Sequence, residues 1–497
     1  MYKLRIAALI LLAVLCLSTV TSCGSGGDKT PIKDAYTSAQ PDYTVAKTEA
    51  PDPWGDGLPD SDFGGTDFTV LIRTEYNYEF VAEQSGDILE DEIFARNRTA
   101  EERFNIKLGF IEKVGNTGAS NSEFNTAYMN AYQAGDAAYD LVMGYQAYSC
   151  PLSMAGMVRN SLEMPYIDTT REWWYQIAKK DLTINGKYYF LMGNIGTSMW
   201  NSVYVLYFNK TVKENHGIDD NLYKIVSDGD WTFDRFTSLV RGVSADLDGD
   251  NSYTEADLYG YMSDSSNHLR QYCISADAHI AAQGSDSYPV LDFYNEHNVN
   301  VINTVCSFFW EDCVFRTAKD TSSPVNFNMP EMFASDRALF MAGFLSKAQI
   351  LRSMESDYGI ILQPKFDEKQ KDYRVAVANG CSVVLFPIYL KNEDMSGIVT
   401  EALCAAGNNS ILPVYYEYSL KSKGTRDAES EAMLDFIISR ISFDFGWVHS
   451  ISIATIGAAL STMIGSGNSD FASFYAANAQ AYEAGFQTVL DTYKEIG

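Results

Sequence analysis

The sequence is poor in basic residues and in histidine. Its 497 residues include 37 Lys and Arg against 65 Asp and Glu, which gives a formal net charge of −28, and only five His. Nucleic acids and anionic lipid headgroups are bound by clusters of Lys and Arg that neutralise phosphates, so both are disfavoured as direct partners. The same charge favours neutral or basic solutes over strongly acidic ones.

Motifs of several enzyme classes are also missing. The histidines are scattered without an HExxH pattern, and the sequence contains no GxSxG, Walker loop or dinucleotide-binding fingerprint. Glycosidases need two acids across a cleft, and no pair of acids is singled out here by its spacing. No repeat of fixed period is present, which excludes solenoids and propellers. The sequence therefore predicts a protein that is not an enzyme.

Cysteine pairs of the CxxC type are absent. Six of the eight cysteines lie beyond residue 23, widely spaced and in apolar contexts, namely Cys150, Cys273, Cys306, Cys313, Cys381 and Cys404. This spacing favours buried free thiols over a zinc site. In an exported protein Cys306 and Cys313 are the nearest candidates for a disulfide, but sequence spacing does not give connectivity, so none is assigned.

The N-terminus carries the most informative apolar run. Lys3 and Arg5 precede an apolar segment at residues 6–17, and residues 20–22 (VTS) lead into Cys23. This arrangement resembles a bacterial lipoprotein signal with its lipobox. In the alternative interpretation, a plain secretory signal, Cys23 is incidental.

The resemblance to a lipoprotein divides the start of the chain into three parts. Residues 1–22 are the signal peptide, Cys23 is the lipidated residue, and residues 23–63 form a flexible tether rich in Gly, Ser, Asp, Thr and Pro. The most apolar later stretch, residues 451–464, is too short and too interrupted to span a membrane. The folded body is therefore expected outside the cytoplasmic membrane, held there by lipid.

Strand and helix patterns alternate along the first part of the body. They predict three strands, at residues 68–73, 106–111 and 139–143. They also predict two intervening helices, at residues 89–104 and 123–134. Such alternation predicts an α/β fold with a largely parallel sheet. Ligands of open α/β sheets bind beyond the carboxyl ends of the strands, so the segments after Arg73 and Met143 are predicted to form pocket walls.

The sharpest motif is an acidic loop at residues 246–257 (DLDGDNSYTEAD). Its carboxylates fall at positions one, three, five and twelve of an EF-hand-type loop, which lets one tight turn supply oxygen ligands to Ca²⁺. The predicted ligands are Asp246, Asp248, Asp250, Ser252 through its carbonyl, and Asp257. Asn251 replaces the usual Gly, and Asp257 replaces the longer Glu. The alternative is an acidic turn without metal; a bound Ca²⁺ would be structural.

Short motifs along nearly the whole mature chain resemble an extracellular solute-binding protein, of the family that delivers sugars to ATP-driven importers, in its lipoprotein branch from Gram-positive bacteria. Each motif is weak alone, and their order carries the resemblance. They lie at residues 95–98 (ARNR), 101–104 (EERF), 139–142 (YDLV), 165–168 (PYID), 173–174 (WW), 185–188 (NGKY), 205–210 (VLYFNK), 230–233 (DWTF), 258–260 (LYG), 363–368 (QPKFDE) and 427–430 (DAES).

The resemblance implies a type II periplasmic-binding-protein fold, with two hinge-linked lobes that close over a solute in a cleft. One lobe is expected at residues 64–199 plus 341–386, and the other at residues 200–340 plus 387–497. The implied protein is a monomeric, lipid-anchored receptor that presents a mono- or oligosaccharide to the membrane subunits of an ABC permease. Calcium-binding relatives carry a loop similar to residues 246–257.

Candidate ligand contacts are the aromatic and amide side chains at the expected cleft edges. Tyr76, Tyr145 and Gln146 follow predicted strands, Trp200 lies where the chain is expected to cross between lobes, and Trp310 is a weaker candidate. Most aromatic residues in a chain of this size belong to the core. Two alternatives remain open: a surface glycan-processing enzyme, and a receptor of the same fold that binds a peptide or amino compound or that serves a sensor kinase.

Overall fold

The structure is a computed structural model that describes residues 52–116, 118, 121–264, 267–285, 287–317, 328–420 and 428–496. The signal peptide at residues 1–22 and the lipidation site Cys23 lie outside the described residues. Within the described part of the chain, no helix has the length and apolar character needed to cross a membrane.

The predicted tether extends too far toward the C-terminus. Trp54 is buried, and the Asp56 carboxylate accepts two hydrogen bonds from the Arg103 guanidinium, at 2.6 and 2.8 Å. Arg103 also lies 5.8 Å from the centroid of the Trp54 ring. The chain is therefore attached to the folded body well before residue 63, through an apolar contact and an ion pair that composition alone does not reveal.

The described residues form eleven strands and eighteen α-helices. The strands are β1 (Thr66–Arg73), β2 (Ile106–Lys113), β3 (Leu141–Tyr145), β4 (Tyr204–Asn209), β5 (Tyr259–Ser263), β6 (Ala281–Gln283), β7 (Pro289–Leu291), β8 (Val314–Arg316), β9 (Ala338–Phe344), β10 (Tyr358–Ile361) and β11 (Ser382–Leu385). The helices are α1 (Ile88–Phe104), α2 (Asn121–Ala134), α3 (Gln146–Met154), α4 (Gln176–Leu182), α5 (Ser198–Asn201), α6 (Lys210–Asn215), α7 (Leu222–Asp228), α8 (Phe233–Arg241), α9 (Asn267–Ser275), α10 (Glu296–Phe309), α11 (Met329–Ala334), α12 (Ala348–Leu351), α13 (Glu393–Ala406), α14 (Leu412–Leu420), α15 (Ala428–Ser439), α16 (Phe445–Val448), α17 (Ala459–Gly465) and α18 (Phe471–Glu495).

Local sequence signals explain where α1 begins and ends. The Asp87 side chain accepts hydrogen bonds from the backbone N–H groups of Leu89 and Glu90, which caps the first turn. Asn105 ends the helix in the left-handed conformation, with φ of 47°. Between these caps, buried side chains such as Ile93 and Phe104 recur at helical spacing. The predicted helix at residues 89–104 is confirmed.

The first sheet has four strands in the order β11-β3-β1-β2. β1 is parallel to both β2 and β3, and β11 is antiparallel to β3. The prediction of a largely parallel sheet is confirmed for the first three strands. Their carboxyl ends lie at one edge, where Arg73 and Tyr145 are the last residues of β1 and β3.

The second sheet has five strands in the order β10-β4-β9-β5-β8, and β6 pairs separately with β7. β4 is antiparallel to both of its neighbours, whereas β5 is parallel to β8 and β9. The predicted mixed α/β architecture with two lobes, each built on its own sheet, is confirmed.

Three segments that connect the two sheets lie side by side. Val203 pairs with Val377 in an antiparallel bridge, and Val375 pairs with Ile441 in a parallel one. The segment at Val203 leads into β4, and the segment at residues 375–377 leads into β11. The segment at Ile441 connects α15 to α16. Of these two helices, α15 packs on β10 of the second sheet and α16 packs on α3, which follows β3 of the first sheet. The chain thus passes between the two sheets three times, through adjacent segments.

Two predicted lobe boundaries are wrong. Residues 341–386 are predicted in the first lobe, but β9 and β10 both pair with β4 in the second sheet, and β11 joins the first. Residues 387–497 are predicted in the second lobe, but α13 packs against α1 beside the first sheet. Pairing between distant segments leaves no local periodicity, which is why the sequence pattern misplaces these boundaries.

Candidate functional site

A cavity lies where the connecting segments meet the carboxyl end of β3. It is small, with about 30 Å³ of accessible space that is partly open to solvent, and we call it the junction cavity. A neighbouring cavity with about 20 Å³ of accessible space shares Asp444 and Trp447 with it. The lining residues of the junction cavity are Gln146, Ile274, Asp277, Ala278, His279, Arg374, Val377, Asn379, Ser442, Phe443, Asp444 and Trp447.

Several polar atoms of this lining have no hydrogen-bond partner among the described residues. They are Asn379 Oδ1, Ser442 Oγ and Trp447 Nε1, and all three are buried. Buried polar groups in proteins are nearly always hydrogen-bonded, so unpaired ones around an empty space indicate room for a polar ligand or for water. The cavity therefore has the polar character of a ligand site.

A cluster of tyrosines around one arginine borders the junction cavity, and we call it the tyrosine–arginine cluster (Arg73, Tyr76, Tyr145 and Tyr148). The guanidinium carbon of Arg73 lies 4.0 Å from the Tyr76 ring centroid and 5.1 Å from that of Tyr145. The rings of Tyr145 and Tyr148 are 4.6 Å apart. The structure thus brings together two predicted contacts, Tyr76 and Tyr145, from the ends of two strands.

Gly380 lies between the tyrosine–arginine cluster and the junction cavity. A side-chain carbon at Gly380 would lie 3.4 Å from the hydroxyl of Tyr76 and 3.5 Å from that of Tyr145. The backbone here passes close to both hydroxyls, and the preceding residue, Asn379, lines the junction cavity. Gln146, which directly follows Tyr145, lines the same cavity. The cluster and the cavity are therefore contiguous.

Arg73 is a site residue that the sequence analysis did not select. Its guanidinium donates hydrogen bonds to Asn116 Oδ1 at 3.1 Å and to Ser382 Oγ at 2.9 Å, and its Nε has no partner among the described residues. The Ser382 hydroxyl donates in turn to the buried Glu79 carboxylate. The signal that could have identified Arg73 is its place at the carboxyl end of a predicted strand.

Burial keeps the hydroxyls of Tyr76 and Tyr145 neutral. It raises the pKa of Tyr145 to about 12 and also raises that of Tyr76, although the Arg73 cation opposes the second shift. A neutral phenol both donates and accepts hydrogen bonds, and its ring offers a flat apolar face. These are the two kinds of contact that a sugar, with hydroxyls around an apolar C–H face, makes in a protein.

The other predicted ligand contacts differ in their surroundings. Gln146 is buried but borders the cavity, with Cys381 Sγ 3.7 Å from its Oε1. Trp200 is fully buried, and its indole N–H donates to Tyr175 Oη at 3.1 Å and to Asn194 Oδ1 at 3.0 Å. Trp200 is therefore a core residue, and its prediction as a ligand contact is corrected.

Trp310 lies apart from the junction cavity. It ends α10, and its indole N–H donates to the backbone carbonyl of Ile464 at 2.8 Å. The guanidinium carbon of Arg316 lies 5.3 Å from the centroid of the Trp310 ring. Gly467, two residues after the end of α17, lies against the same ring. These neighbours belong to the second lobe, and Trp310 is not part of the junction cavity lining.

Carboxylates that line the junction cavity are engaged with other groups of the protein. Asp277 pairs with Arg374 at 2.6 Å. Asp444 accepts backbone N–H bonds from Ile280, Ala281 and Trp447. An inverting or retaining glycosidase needs one carboxyl group as acid and a second as base or nucleophile. The engaged state of these two acids does not favour the enzyme interpretation.

The acidic loop forms a compact turn. The carboxylate oxygens of Asp246, Asp248 and Asp250 lie within 4.8 Å of one another, which suits oxygen ligation of a hard cation. Asn251 adopts the expected left-handed conformation, with φ of 62°. Asp257 is buried and closes the loop by accepting the backbone N–H groups of Leu247 and Thr254, both at 2.8 Å.

Comparison with known proteins identifies the fold. No protein-family model matches the chain, and no curated protein does. An ABC substrate-binding protein of Listeria monocytogenes in complex with cycloalternan matches 86% of this chain and 99% of its own, with 11% identity and a TM-score of 0.52. An ABC transporter solute-binding protein of Thermotoga lettingae bound with α-D-tagatose matches 86% and 100%, with 13% identity and a TM-score of 0.51.

The GacH receptor of Streptomyces glaucescens, solved without ligand and with acarbose, matches 87% of this chain and 98% of its own, with 12% identity and a TM-score of 0.51. Identities this low establish likeness of fold. The chain therefore has the two-lobed fold of these solute-binding proteins, as the motif pattern predicts.

Proposed function

We propose that this protein is an extracellular receptor that binds a carbohydrate, as a mono- or oligosaccharide, and delivers it unchanged to an ABC-type permease. The observation that carries the proposal is the tyrosine–arginine cluster beside the junction cavity, in a fold shared with proteins whose bound ligands are cycloalternan, tagatose and acarbose. Fold alone does not define a ligand, so the cluster is the necessary second support.

The arrangement accounts for binding in physical terms. The rings of Tyr76 and Tyr145 supply apolar faces, and their neutral hydroxyls, with the amide of Asn379, supply hydrogen bonds to ring hydroxyls. Because the connecting segments run side by side at the cavity, rotation about them would open and close the site. A sugar that contacts both lobes would stabilise the closed state.

Binding to the purified chain from residue 24 onward tests the proposal. We expect one class of carbohydrate in a library to raise the melting temperature, since selective binding to the native state stabilises it. Isothermal titration then gives the affinity, and chromatography of the mixture should show the sugar unaltered. Absence of any shift across the library would favour a peptide or amino-compound receptor, and formation of a product would refute the receptor proposal.

We further propose that Cys23 is lipidated and holds the receptor at the outer face of a bacterial cytoplasmic membrane. The support is the sequence at residues 3–23, together with a folded body in which no described helix could span a bilayer. A monomeric body on a flexible tether would reach permease subunits in the same membrane.

We also propose that the acidic loop binds Ca²⁺ as a structural ion. The convergent oxygens of Asp246, Asp248 and Asp250 support this, and the backbone carbonyl of Ser252 is the next expected ligand. Asp257 already satisfies two backbone N–H groups, so its part in binding would be to hold the loop closed around the ion. The ion would stabilise the second lobe without contacting the sugar.

A further inference from the structure

A buried carboxylate is linked to the tyrosine–arginine cluster through one serine. Glu79 ends the short helical segment Thr74–Glu79 that follows β1. Its Oε2 accepts a hydrogen bond of 2.5 Å from the hydroxyl of Ser382, and this hydroxyl accepts one of 2.9 Å from the Arg73 guanidinium. All three side chains are buried. A residue at the start of β11 thus joins an acid and a base that lie near each other in sequence at the end of β1.

The chemistry of the three groups fixes the direction of both hydrogen bonds. A guanidinium can only donate, and a carboxylate accepts. The Ser382 hydroxyl has a single proton, so it accepts from Arg73 and gives its proton to the bond with Glu79. Hydrogen bonds to charged groups are about twice as strong as those between neutral groups. The order Arg73–Ser382–Glu79 is therefore a directed relay, and we call it the serine relay.

Glu79 is held in place by contacts on its other side. Its Oε1 accepts the backbone N–H of Ser198 at 2.5 Å, and its backbone carbonyl accepts from the buried Arg96 guanidinium at 3.0 Å. A side-chain carbon at Gly196 would overlap with Oε1, so a glycine is needed for the carboxylate to reach this place. Ser382 is held as well, because its backbone N–H donates to Ser198 Oγ at 2.9 Å. The relay therefore starts from a fixed point.

Two hydrogen bonds orient the guanidinium at the other end of the relay. Arg73 donates to Ser382 Oγ and, at 3.1 Å, to Asn116 Oδ1. The guanidinium carbon then lies 4.0 Å from the centroid of the Tyr76 ring and 5.1 Å from that of the Tyr145 ring. Attraction to an aromatic face keeps a cation near the ring but does not fix its rotation. The hydrogen bonds supply that orientation.

We propose that Ser382 and Glu79 are positioning residues of the carbohydrate site, and that they act by orienting Arg73 beside Tyr76 and Tyr145. The inference rests on the proposed carbohydrate-binding function. Both side chains are buried, so neither touches the sugar. Their effect is to fix the guanidinium before the sugar arrives, and a site that is already ordered loses less conformational entropy on binding. Removal of the serine hydroxyl should therefore weaken binding through Arg73.

Rotation of the Arg73 guanidinium tests the inference on the unliganded protein. In protein labelled with ¹⁵N-arginine, a guanidinium held by directed hydrogen bonds turns slowly about its C–N bonds and gives separate N–H resonances. The resonances that disappear in R73M identify Arg73. We expect slow rotation in the wild type, fast rotation in S382A, and slow rotation again in S382T, which keeps the hydroxyl. Fast rotation in the wild type overturns the inference.

S153A is the matched control for a general loss of stability. Ser153 is buried in the first lobe, where its hydroxyl donates to the carbonyl of Cys150 at 2.8 Å and is hydrogen-bonded to Tyr493 Oη at 2.7 Å. It lies near the end of α3, whereas the cavity-lining Gln146 begins that helix. S153A should lower the melting temperature and leave the Arg73 resonances unchanged. Equally fast rotation in S153A and S382A would indicate general loosening and overturn the inference.

Affinity measurements test the consequence for binding. The probes are cycloalternan, α-D-tagatose and acarbose, together with any sugar that the library screen detects. For a sugar that binds, we expect S382A to weaken binding about tenfold and S153A to change it by less than about twofold. R73M/S382A should bind no more weakly than R73M alone, because Ser382 acts through Arg73. Additive losses would show another route and overturn the inference.

The outcomes separate this inference from the proposed function. If the wild type binds a sugar and S382A binds it equally well, the inference is overturned and the carbohydrate receptor stands. If no carbohydrate binds the wild type, the proposed function is refuted, and the inference falls with it. If S382A does not fold, E79Q takes its place. E79Q removes the charge at the fixed end of the serine relay, so it should also speed the rotation of Arg73 and weaken binding.

Discussion

The indole N–H of Trp174 donates a hydrogen bond of 2.8 Å to the carboxylate of Glu401. The neighbouring indole, that of Trp173, donates to the other carboxylate oxygen at 3.0 Å. All three side chains are buried. Burial raises the pKa of Glu401 from 4.5 to about 7, although the two indole bonds act in the opposite direction. Residues 173–174 (WW), one of the motifs that resemble the solute-binding family, thus form hydrogen bonds to a buried acid.

Glu401 should make the stability of the protein fall as pH rises toward neutrality. Between pH 4.5 and about 7 the folded state keeps the proton that the unfolded state has lost, so the free energy of unfolding decreases with increasing pH. The full loss above pH 7 is about 3 kcal/mol. The side chain of E401Q cannot titrate. The free energy of unfolding of E401Q, relative to that of the wild type, should therefore rise by about 3 kcal/mol between pH 4.5 and pH 7.

Chemical denaturation at a series of pH values measures this effect. The exposed Glu431 provides the control, because E431Q should give a curve parallel to that of the wild type. Parallel curves for E401Q and the wild type would show that Glu401 does not titrate in this range.

Tyr145 should contribute to ligand binding more than to stability. Y145A removes a half-buried ring between Arg73 and Tyr148, and we expect the affinity for the sugar found in the library screen to fall about tenfold or more. Y145F, which keeps the ring, should lose less. The exposed Tyr389 follows β11 at the opposite edge of the first sheet, so Y389A should bind normally. Equal losses in Y145A and Y389A would exclude Tyr145 from the site.

The features that the sequence predicts correctly are local ones. The α1 helix and the β1 strand follow from side chains within a few residues of one another. Tyr76 and Tyr145 are found because both follow the carboxyl ends of strands. Pairing of β9 with β4 joins segments more than a hundred residues apart, and no local pattern encodes it.

The misplaced tryptophans have a physical explanation. Trp200 lies at a crossing between lobes, as predicted, but its indole is bonded to Tyr175 and Asn194 inside the core. Position along the chain does not tell which way a ring faces.

Trp200 should therefore affect stability. W200F removes two hydrogen bonds and leaves a small void, which we expect to lower the free energy of unfolding by about 3 kcal/mol. Denaturation measures this loss, and titration of the folded variant should give an affinity for sugar near that of the wild type. A selective loss of affinity with unchanged stability would restore Trp200 as a ligand contact.

Cys23 should determine where the protein resides in the cell. In its native bacterium the wild-type protein is expected in the membrane fraction, and C23S should move it to the soluble fraction or the medium, since one residue carries the lipid. S22A keeps a small residue before the cysteine and should remain with the membrane. Membrane retention of C23S would favour a different mode of attachment.

Ca²⁺ should stabilise the protein through the acidic loop. Three carboxylates within 4.8 Å repel one another, and a divalent cation would remove this repulsion. At a Ca²⁺ concentration 100 times its dissociation constant, the gain in stability is about 2.7 kcal/mol. Melting curves with Ca²⁺ and with chelator should therefore differ for the wild type and coincide for D248N, which lacks the second of the three charges.

Glu255 supplies the matched control for that experiment. It lies in the same loop, is exposed, and occupies a position whose side chain is not among the predicted ligands. E255Q changes the net charge of the loop by the same amount as D248N, so a general electrostatic effect of Ca²⁺ would be weakened equally in both variants. We expect E255Q to keep the full shift, because ligation depends on which oxygens converge on the ion and not on charge alone. Equal weakening of the shift in both variants would indicate diffuse screening by Ca²⁺ and no bound ion.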